Sequence, residues 1–481
     1  RAAETLRQHI GSSGDGEAHA GAAFSGDNAP LLQPGEAAPV IAVAVDDGPL
    51  LPLAELAVLL AGAAIVPLDP HDPAARLAGL LSDAGPRAVV TKDRGDAKKL
   101  RDAVALAGCP DLPVYDASES LLDLHDSGVC CAGDSGAACA PRSEDAGAIP
   151  LPPEGPQPGR LCYIWFTSGS TGRPKACLVT HGAFAHYCGV AKHASHIVTP
   201  ESTVLVASAN TFDPSVGDIF SSWAIGAAVA CAPKMWLFAQ LAWVIERTAA
   251  THVGCTPSLW RTLEVPPSCT MLRSLQCLAL GGERMAREQV QACCGQGKFR
   301  LLNVYGTTEC TVWQTVQEMA TDVAPSYVGE PMPGNTLAVV EQVEGPLDPG
   351  CVASMPFGEP GEVLIGGKQV GRGYLARPEL TALRFVALPP LGPGLWYRTG
   401  DVGRLGADGR LELVGRSDSQ VKVRGIRVEL GEIEEAVAAA AGPEMVSAVV
   451  VVLREERLVA YCQVSRAMAQ ELSQGAVRAN E

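Results

Sequence analysis

Tyr163-Ile164-Trp165-Phe166-Thr167-Ser168-Gly169-Ser170-Thr171-Gly172-Arg173-Pro174-Lys175 is the stretch that decides the fold. Its first four residues are apolar and read as a buried strand that empties into a loop of hydroxyls and glycines. Thr167, Ser168, Ser170 and Thr171 supply O–H donors, and Gly169 and Gly172 let backbone N–H groups come close to a ligand. Pro174 stiffens the exit, and Lys175 adds one compact positive charge. Many small donors and one ammonium at a strand end suit an oligophosphate, whose charge they share. The pattern is not a Walker A loop, which needs G-x-x-x-x-G-K-[ST]; here Pro174 precedes the lysine and Ala176 follows it. Alone, the loop reads equally well as a polar surface turn.

Working outward, the 481 residues are 47% hydrophobic, enough for a large core divided over two or three subdomains. A net charge of −16, from 37 basic and 53 acidic residues, argues against a nucleic-acid partner or an anionic membrane surface. No apolar run reaches the roughly 18 residues of a membrane span. The chain begins at Arg1 without a charged-then-apolar leader, so the expectation is a processed or incomplete chain with no signal peptide. The 16 cysteines are scattered, without zinc spacing, and Cys162, Cys231, Cys255, Cys277 and Cys462 lie in apolar segments. They read as small hydrophobes in a reducing, cytoplasmic setting.

Along the chain, residues 11–38 and 117–160 are rich in Gly, Ala, Ser, Pro or acids and read as surface insertions. Between them, Val40–Val45 reads as strand, Leu53–Leu60 as helix, Ala64–Pro70 as a strand leaving into a turn, Ala74–Ala84 as helix and Ala88–Thr91 as strand. That alternation predicts an α/β fold with helices wrapped on a largely parallel sheet.

Downstream, further strand-like runs end in polar turns. Leu278-Ala279-Leu280-Gly281-Gly282-Glu283 ends in glycines that permit close backbone approach, though Gly-Gly is also common in plain turns. Asn303-Val304-Tyr305-Gly306-Thr307-Thr308-Glu309 brings an amide, a flat aromatic, a hydroxyl and a carboxylate within seven residues, which suits a nucleotide and its metal. Arg398-Thr399-Gly400-Asp401 sets a carboxylate after a tight turn, able to accept both hydroxyls of a ribose or to form an Asx turn. Phe212-Asp213-Pro214-Ser215 offers an acid that, if buried, needs a cation such as an ammonium; otherwise it is a turn residue before proline.

Taken in order, LAGAAIVPLDPHDPAARL, YIWFTSGSTGRPK with Thr180-His181, NTFDPSVGDIF, LALGGE, NVYGTTE, YRTGDVGRL and GRSDSQVKVRGIRVELGEIE resemble the motif series of the ANL superfamily. That superfamily comprises acyl- and aryl-CoA synthetases, the adenylation domains of nonribosomal peptide synthetases, and luciferases. The FDPSV form and Trp313 resemble the amino-acid-activating domain of aminoadipate-semialdehyde-dehydrogenase-like proteins. The GRSDSQVKVRGIRVELGEIEE stretch looks more like a peptide-synthetase adenylation domain.

The resemblance implies a large ATP- and substrate-binding domain over residues 1–415 and a small, mobile α+β C-terminal domain over 416–481. It implies ATP and Mg2+ as cofactors, acyl-adenylate formation, and transfer to a thiol of CoA or of phosphopantetheine on a carrier domain, in cis or in trans. Thr167 through Gly172 and Lys175 would hold phosphates, Thr308 would touch the α-phosphate, and Glu309 would hold magnesium. Gly281, Gly282 and Glu283 would wall the adenine slot, Asn303 would bond the adenine amino edge and Tyr305 would pack on the ring. Asp401 would take the ribose, Arg416 would reach phosphate or ribose, and Asp418 would be the domain pivot. Asp213 would bind the substrate ammonium, with Gly217, Gly254, Leu278, Leu280, Val304, Val312 and Trp313 lining a pocket for a small or apolar amino acid, β-alanine included. An acyl-CoA ligase for a non-amino acid and a catalytically impaired nucleotide-binding fragment are the alternatives. The family carries a lysine near its C-terminal end, and no lysine follows Lys422, so the expectation is ATP binding with weak adenylate formation.

Overall fold

Short β-branched runs alternating with Ala- and Leu-rich segments build the first sheet. The computed structural model describes residues 38–117, 157–169, 173–417, 420–423, 426–454, 457–466 and 468. In it β1 (Val40–Ala44), β2 (Ala64–Pro67), β3 (Ala88–Thr91) and β4 (Val114–Asp116) run parallel. The connecting helices are α1 (Leu50–Leu60), α2 (Ala74–Ala84) and α3 (Arg94–Leu106). α1 starts three residues before the predicted Leu53, with Pro52 tolerated in its first turn. Gly85 ends α2 in the left-handed region (φ 55°), which glycine adopts without strain. Asp93 caps α3 by accepting the N–H groups of Gly95 and Asp96. β5 (Leu161–Thr167) joins this sheet beside β2, and β6 (Lys175–Thr180) pairs antiparallel with β5. Thr167 and Lys175 therefore face each other across one ladder, and the hydroxyl-rich loop closes an antiparallel pair.

A second sheet has twelve strands. Its parallel half is β7 (Thr203–Val206), β8 (Ala228–Ala230), β9 (His252–Cys255), β10 (Cys277–Gly281) and β11 (Arg300–Tyr305), in the order β11-β10-β9-β7-β8. β12 (Thr315–Glu318) and β13 (Tyr327–Pro331) continue it antiparallel towards Leu411–Arg416, Leu395–Leu405, Pro360–Gly367 and Asn335–Val340. The main core lies between the sheets, with Ile41, Tyr163 and Trp165 from the first meeting Ala279, Leu302 and Val304 from the second. Tyr163 packs edge-on against Trp165 and Phe184, each at 5.2 Å between ring centroids. The sheets are sandwiched on their other sides by helices, so strand ends, not strand faces, are open to ligands.

The C-terminal part is small. Gln420–Val423 pairs with Ile426–Glu429, helix Leu430–Ala441 follows, and Val446–Arg454 pairs with Arg457–Val464. This helix begins only at Leu430, because Val428 and Glu429 are taken by the strand pairing. Asp418 and Gly425, and most of the two predicted insertions, lie outside the described residues. Among the described residues no helix is long and apolar enough to cross a membrane. Cys162, Cys255 and Cys277 are buried as predicted from their apolar settings, but Cys231 is half-buried and Cys462 is exposed, because the last strand, paired with one strand alone, is exposed along almost its whole length.

Candidate active site

Four strand ends and one short strand meet at the edge of the core. Lys175 opens β6 almost buried, its Nζ 3.4 Å from Glu429 Oε1 and 5.9 Å from the centre of the Tyr374 ring. Tyr374 lies in the short strand Gly373–Tyr374, which pairs with β6. Its hydroxyl donates to Glu309 Oε1 at 2.8 Å and lies 3.2 Å from the hydroxyl of Tyr397. Glu309 is fully buried in the 3-10 turn Thr308–Cys310 that follows β11. Thr308 sits against β6, where its carbonyl accepts from Cys177 Sγ. Opposite, the Thr167 and Ser168 hydroxyls are buried and bond no group among the described residues. A Cβ on Gly169 would fall 1.9 Å from the Arg173 carbonyl oxygen, so only glycine fits there. Ser170, Thr171 and Gly172 lie outside the described residues.

The nucleoside side is already cross-linked by hydrogen bonds. Tyr305, at the end of β11, donates its hydroxyl to Asp401 Oδ2 at 2.6 Å. Arg416 donates to Asp401 Oδ1 at 2.5 Å and to the Thr399 carbonyl at 3.2 Å. Burial, followed by the Asp401 charge, pushes the Tyr305 phenol well above the usual tyrosine range, so it stays a donor. Asn303 spends its amide N–H groups on the carbonyls of Pro325 and Tyr327, which leaves its oxygen as the group it can offer a ligand. Gly281 packs so closely that a Cβ would lie 2.6 Å from Val304 Cγ2, and Gly282 needs φ 83°. Glu283 Oε2 accepts the Ser258 hydroxyl at 2.5 Å and backbone N–H at 3.2 Å, tying the β10 and β9 loops together, while its Oε1 is buried and bonds no group among the described residues.

Asp213 begins helix α4 (Pro214–Ala224) and is almost completely buried. Its Oδ2 accepts the Val312 N–H at 3.1 Å. Burial pushes its carboxyl up to about 7; the Val312 N–H and the Thr308 hydroxyl pull down, and the Glu309 charge adds to the rise. Thr311 and Val312 both have positive φ, 69° and 66°, an uncommon and strained pair for β-branched residues. Gln369 holds that bend, donating to the carbonyls of Thr311 and Trp313 at 2.9 Å each, and Gln314 donates to those of Cys310 and Thr311.

One part of the predicted pocket is corrected here. Leu278 and Leu280 face the other side of β10, in the core with Leu205, Leu237 and Val253. Ala279 faces Val304, Val312 and Trp313 instead. The cause is the two-residue period of a strand, by which a shift of one position exchanges the faces. Gly217 and Gly254 do sit on the pocket side: a Cβ at Gly217 would meet Tyr187 at 3.0 Å and Val312 at 3.2 Å, and one at Gly254 would meet Asp218 at 3.3 Å. Trp313 stands edge-on to Phe212 at 6.2 Å and narrows the space.

Sequence reasoning passed over Tyr374, Tyr397, Gln369, Ala279, Lys192 and Asp218. Tyr374 lies 65 residues from Glu309, and no local pattern announces the contact. Lys192 and Asp218 look like ordinary surface charges until the fold buries both and pairs them.

Comparison with known proteins agrees with this arrangement. A family model described as AMP-binding enzyme matches residues 32–375. Phosphinothricin tripeptide synthetase PhsC of Streptomyces viridochromogenes is 36% identical over 399 residues, covering 82% of this chain and 33% of that protein. The dimodular nonribosomal peptide synthase of Bacillus subtilis is 32% identical over 432 residues, covering 88% of this chain and 16% of that protein. The chain thus spans a third or less of the length of these relatives. In fold it is similar to the Vibrio cholerae adenylation domain AlmE, solved in complex with glycyl-adenosine-5'-phosphate, with TM-score 0.70 and 24% identity over 90% of this chain and 82% of that one.

Proposed function

Because this chain belongs to the AMP-binding enzyme family and is an adenylate-forming ligase, we propose that it activates an amino acid with ATP and passes the aminoacyl group to a phosphopantetheine or CoA thiol. The observation that carries this reading is that Tyr374 brings Lys175 and Glu309 together, and that Tyr305, at the end of the strand that leads to Glu309, bonds Asp401, which sits inside the strand Leu395–Leu405 and not after the expected turn.

In this reading the buried Thr167 and Ser168 hydroxyls and the Lys175 ammonium receive the phosphate oxygens. Donors fixed before the reaction stabilise charge that builds on the phosphorus in flight, without reorganising at that moment. Asp401, held by Tyr305 and Arg416, takes the ribose hydroxyls, and the Asn303 oxygen accepts the adenine amino group. The donors already on Asp401 fix its orientation and leave lone pairs for the sugar. Glu309, a fully buried hard-oxygen ligand beside the Lys175 and Tyr374 pair, fits Mg2+, which binds one or two carboxylates together with substrate phosphates. When bound, the ion would offset phosphate charge.

Asp213 anchors the substrate ammonium, which restores the charge balance that burial of a lone carboxylate lacks. The near wall, Ala279, Val304, Val312 and Trp313, leaves room for a small amino acid, β-alanine among them. The substrate carboxylate attacks the α-phosphorus, the bond to pyrophosphate breaks, and the aminoacyl-adenylate remains for thiol attack. A boundary near residue 415 between a large domain and a small mobile one, with a carrier domain as partner, completes the proposal. The test is AMP and pyrophosphate release screened over amino acids and over matched acids without the amine. Amine-dependent release supports the reading; release with plain acids alone, or with none, overturns it.

A further inference from the structure

Behind the near wall of the pocket the molecule keeps a buried ion pair. The helical stretch 181–196 contains a π turn, Tyr187–Ala191, an irregularity that often re-aims side chains at functional sites. Directly after it, Lys192 points inward, 3% exposed, and its ammonium donates to Oδ1 of Asp218, itself 4% exposed on α4. Asp218 Oδ2 is buried and bonds no group among the described residues. Both residues line a small cavity with Gly254, Ala279 and Trp313, about 20 Å³ being open to the centre of a water molecule. That is room for about one water or one hydroxyl.

Around this cavity, His196 shares its Nδ1 with the Ser195 hydroxyl, and His252 uses both ring nitrogens, Nδ1 on Thr251 and Nε2 on the His196 carbonyl. Burial, followed by the Lys192 charge, lowers the His196 pKa far below the usual range; burial also lowers that of His252, so both rings are neutral. The cavity thus offers Asp218 Oδ2, an acceptor without a partner among the described residues, beside an ammonium with hydrogens to spare. The pair is neutral in sum, so a cation or anion placed there would leave a buried charge uncompensated. A neutral group that both donates and accepts fits, and a hydroxyl is the smallest. Asp218 lies five residues after Asp213 on the same helix, about 7.5 Å along its axis. Gly254 keeps the space beside Asp218 Oδ2 open, since a Cβ there would lie 3.3 Å from that oxygen.

We propose that Asp218, held by Lys192, forms the floor of the amino-acid pocket and selects a small amino acid carrying a side-chain hydroxyl. This rests on the proposal that the chain activates amino acids, and the experiment separates the two. AMP release is measured with the full chain for serine against alanine and for homoserine against 2-aminobutyrate, as ratios of kcat/KM. The expected result is a ratio of about tenfold or more in favour of the hydroxylated member of at least one pair. The ratio should fall to about one in the volume-matched double variant Lys192→Met/Asp218→Leu, which removes both charges and both hydrogen-bonding groups together. Ratios near one in the unaltered chain, or a preference that survives in a folded variant, overturn this inference alone. Failure of every amino acid to release AMP overturns the amino-acid reading and this inference with it.

Discussion

The proposed nucleotide cleft and the proposed amino-acid pocket share the ends of β10 and β11, yet they are built on opposite plans. In the cleft, protein donors already occupy the acids: Tyr305 and Arg416 on Asp401, Tyr374 on Glu309. In the pocket, Asp213 takes a backbone N–H but pairs with no cation among the described residues, and its carboxyl is displaced upward. A cleft that meets the same cofactor in every turnover gains from orientation fixed in advance. A pocket that must choose gains from a group left in deficit, because the right ligand then supplies what is missing and the wrong one does not.

The sharpest way to break this contrast is in the cleft. Lys175→Met should lower kcat for AMP formation by about 10²–10³-fold in the folded variant, the usual cost of removing one oriented electrostatic group, and should also lower the melting temperature, because the buried Glu429 carboxylate loses this cation. A loss of less than about tenfold would remove Lys175 from the transition state. In the pocket, Asp213→Asn keeps shape and a hydrogen-bonding oxygen but cannot pair with an ammonium. It should raise the KM for amino acids by about 10²-fold while the KM for ATP stays within a few-fold. Equal losses for both substrates would mean that Asp213 supports the Thr311–Trp313 bend and does not recognise substrate.

The same carboxyl predicts a pH dependence. Its folded pKa of about 7 lies above the ordinary value of 3.8, so the ligand-free native state holds a proton that the unfolded chain has released between those values. Asp213 therefore costs stability as pH rises towards 7, and a bound ammonium, which favours the ionised form, offsets that cost. Amino-acid affinity, followed by calorimetry, should strengthen by up to tenfold per pH unit below about 7 and level off above it. A flat profile from about pH 5.5 to 8 would place the ammonium elsewhere.

These regions were also unequally legible in the sequence. The α/β class followed from short apolar runs spaced by helical segments, and Ala74–Ala84 and Ala88–Thr91 fall where the pattern put them. Lys175, Tyr305 and Glu309 sit in compact motifs at strand ends, where glycines and hydroxyls mark the turn, so they could be picked from local chemistry; Asp401, expected after a tight turn, lies inside the strand Leu395–Leu405, where Gly400 takes a positive φ without ending the pairing. The pocket is assembled from separate helices and strands, and its facing residues depend on strand phase. LALGGE has apolar residues at 278, 279 and 280 alike, so nothing in its composition says which face each takes; Cys277 and Ala279 prove to face the pocket. The Lys192–Asp218 pair is invisible for a related reason: 26 residues separate two charges that only the tertiary fold removes from water.

The phase of β10 gives the smallest effect and the most specific test of how the pocket is built. Ala279→Val adds two methyl groups on the face shared with Val304 and Trp313, and should reduce kcat/KM for the larger of two accepted amino acids by about tenfold relative to the smaller. Leu278→Val, one residue away, removes a methylene from the opposite core. It should lower stability by about 0.5–1.5 kcal/mol and leave that ratio alone. Because both changes sit on adjacent residues of one strand, a general disturbance of β10 would move the ratio in both variants. Only alternation of the two faces predicts that it moves in one. If Leu278→Val shifts the ratio and Ala279→Val does not, the strand is turned by one residue, and the wall of the pocket is made of leucines after all.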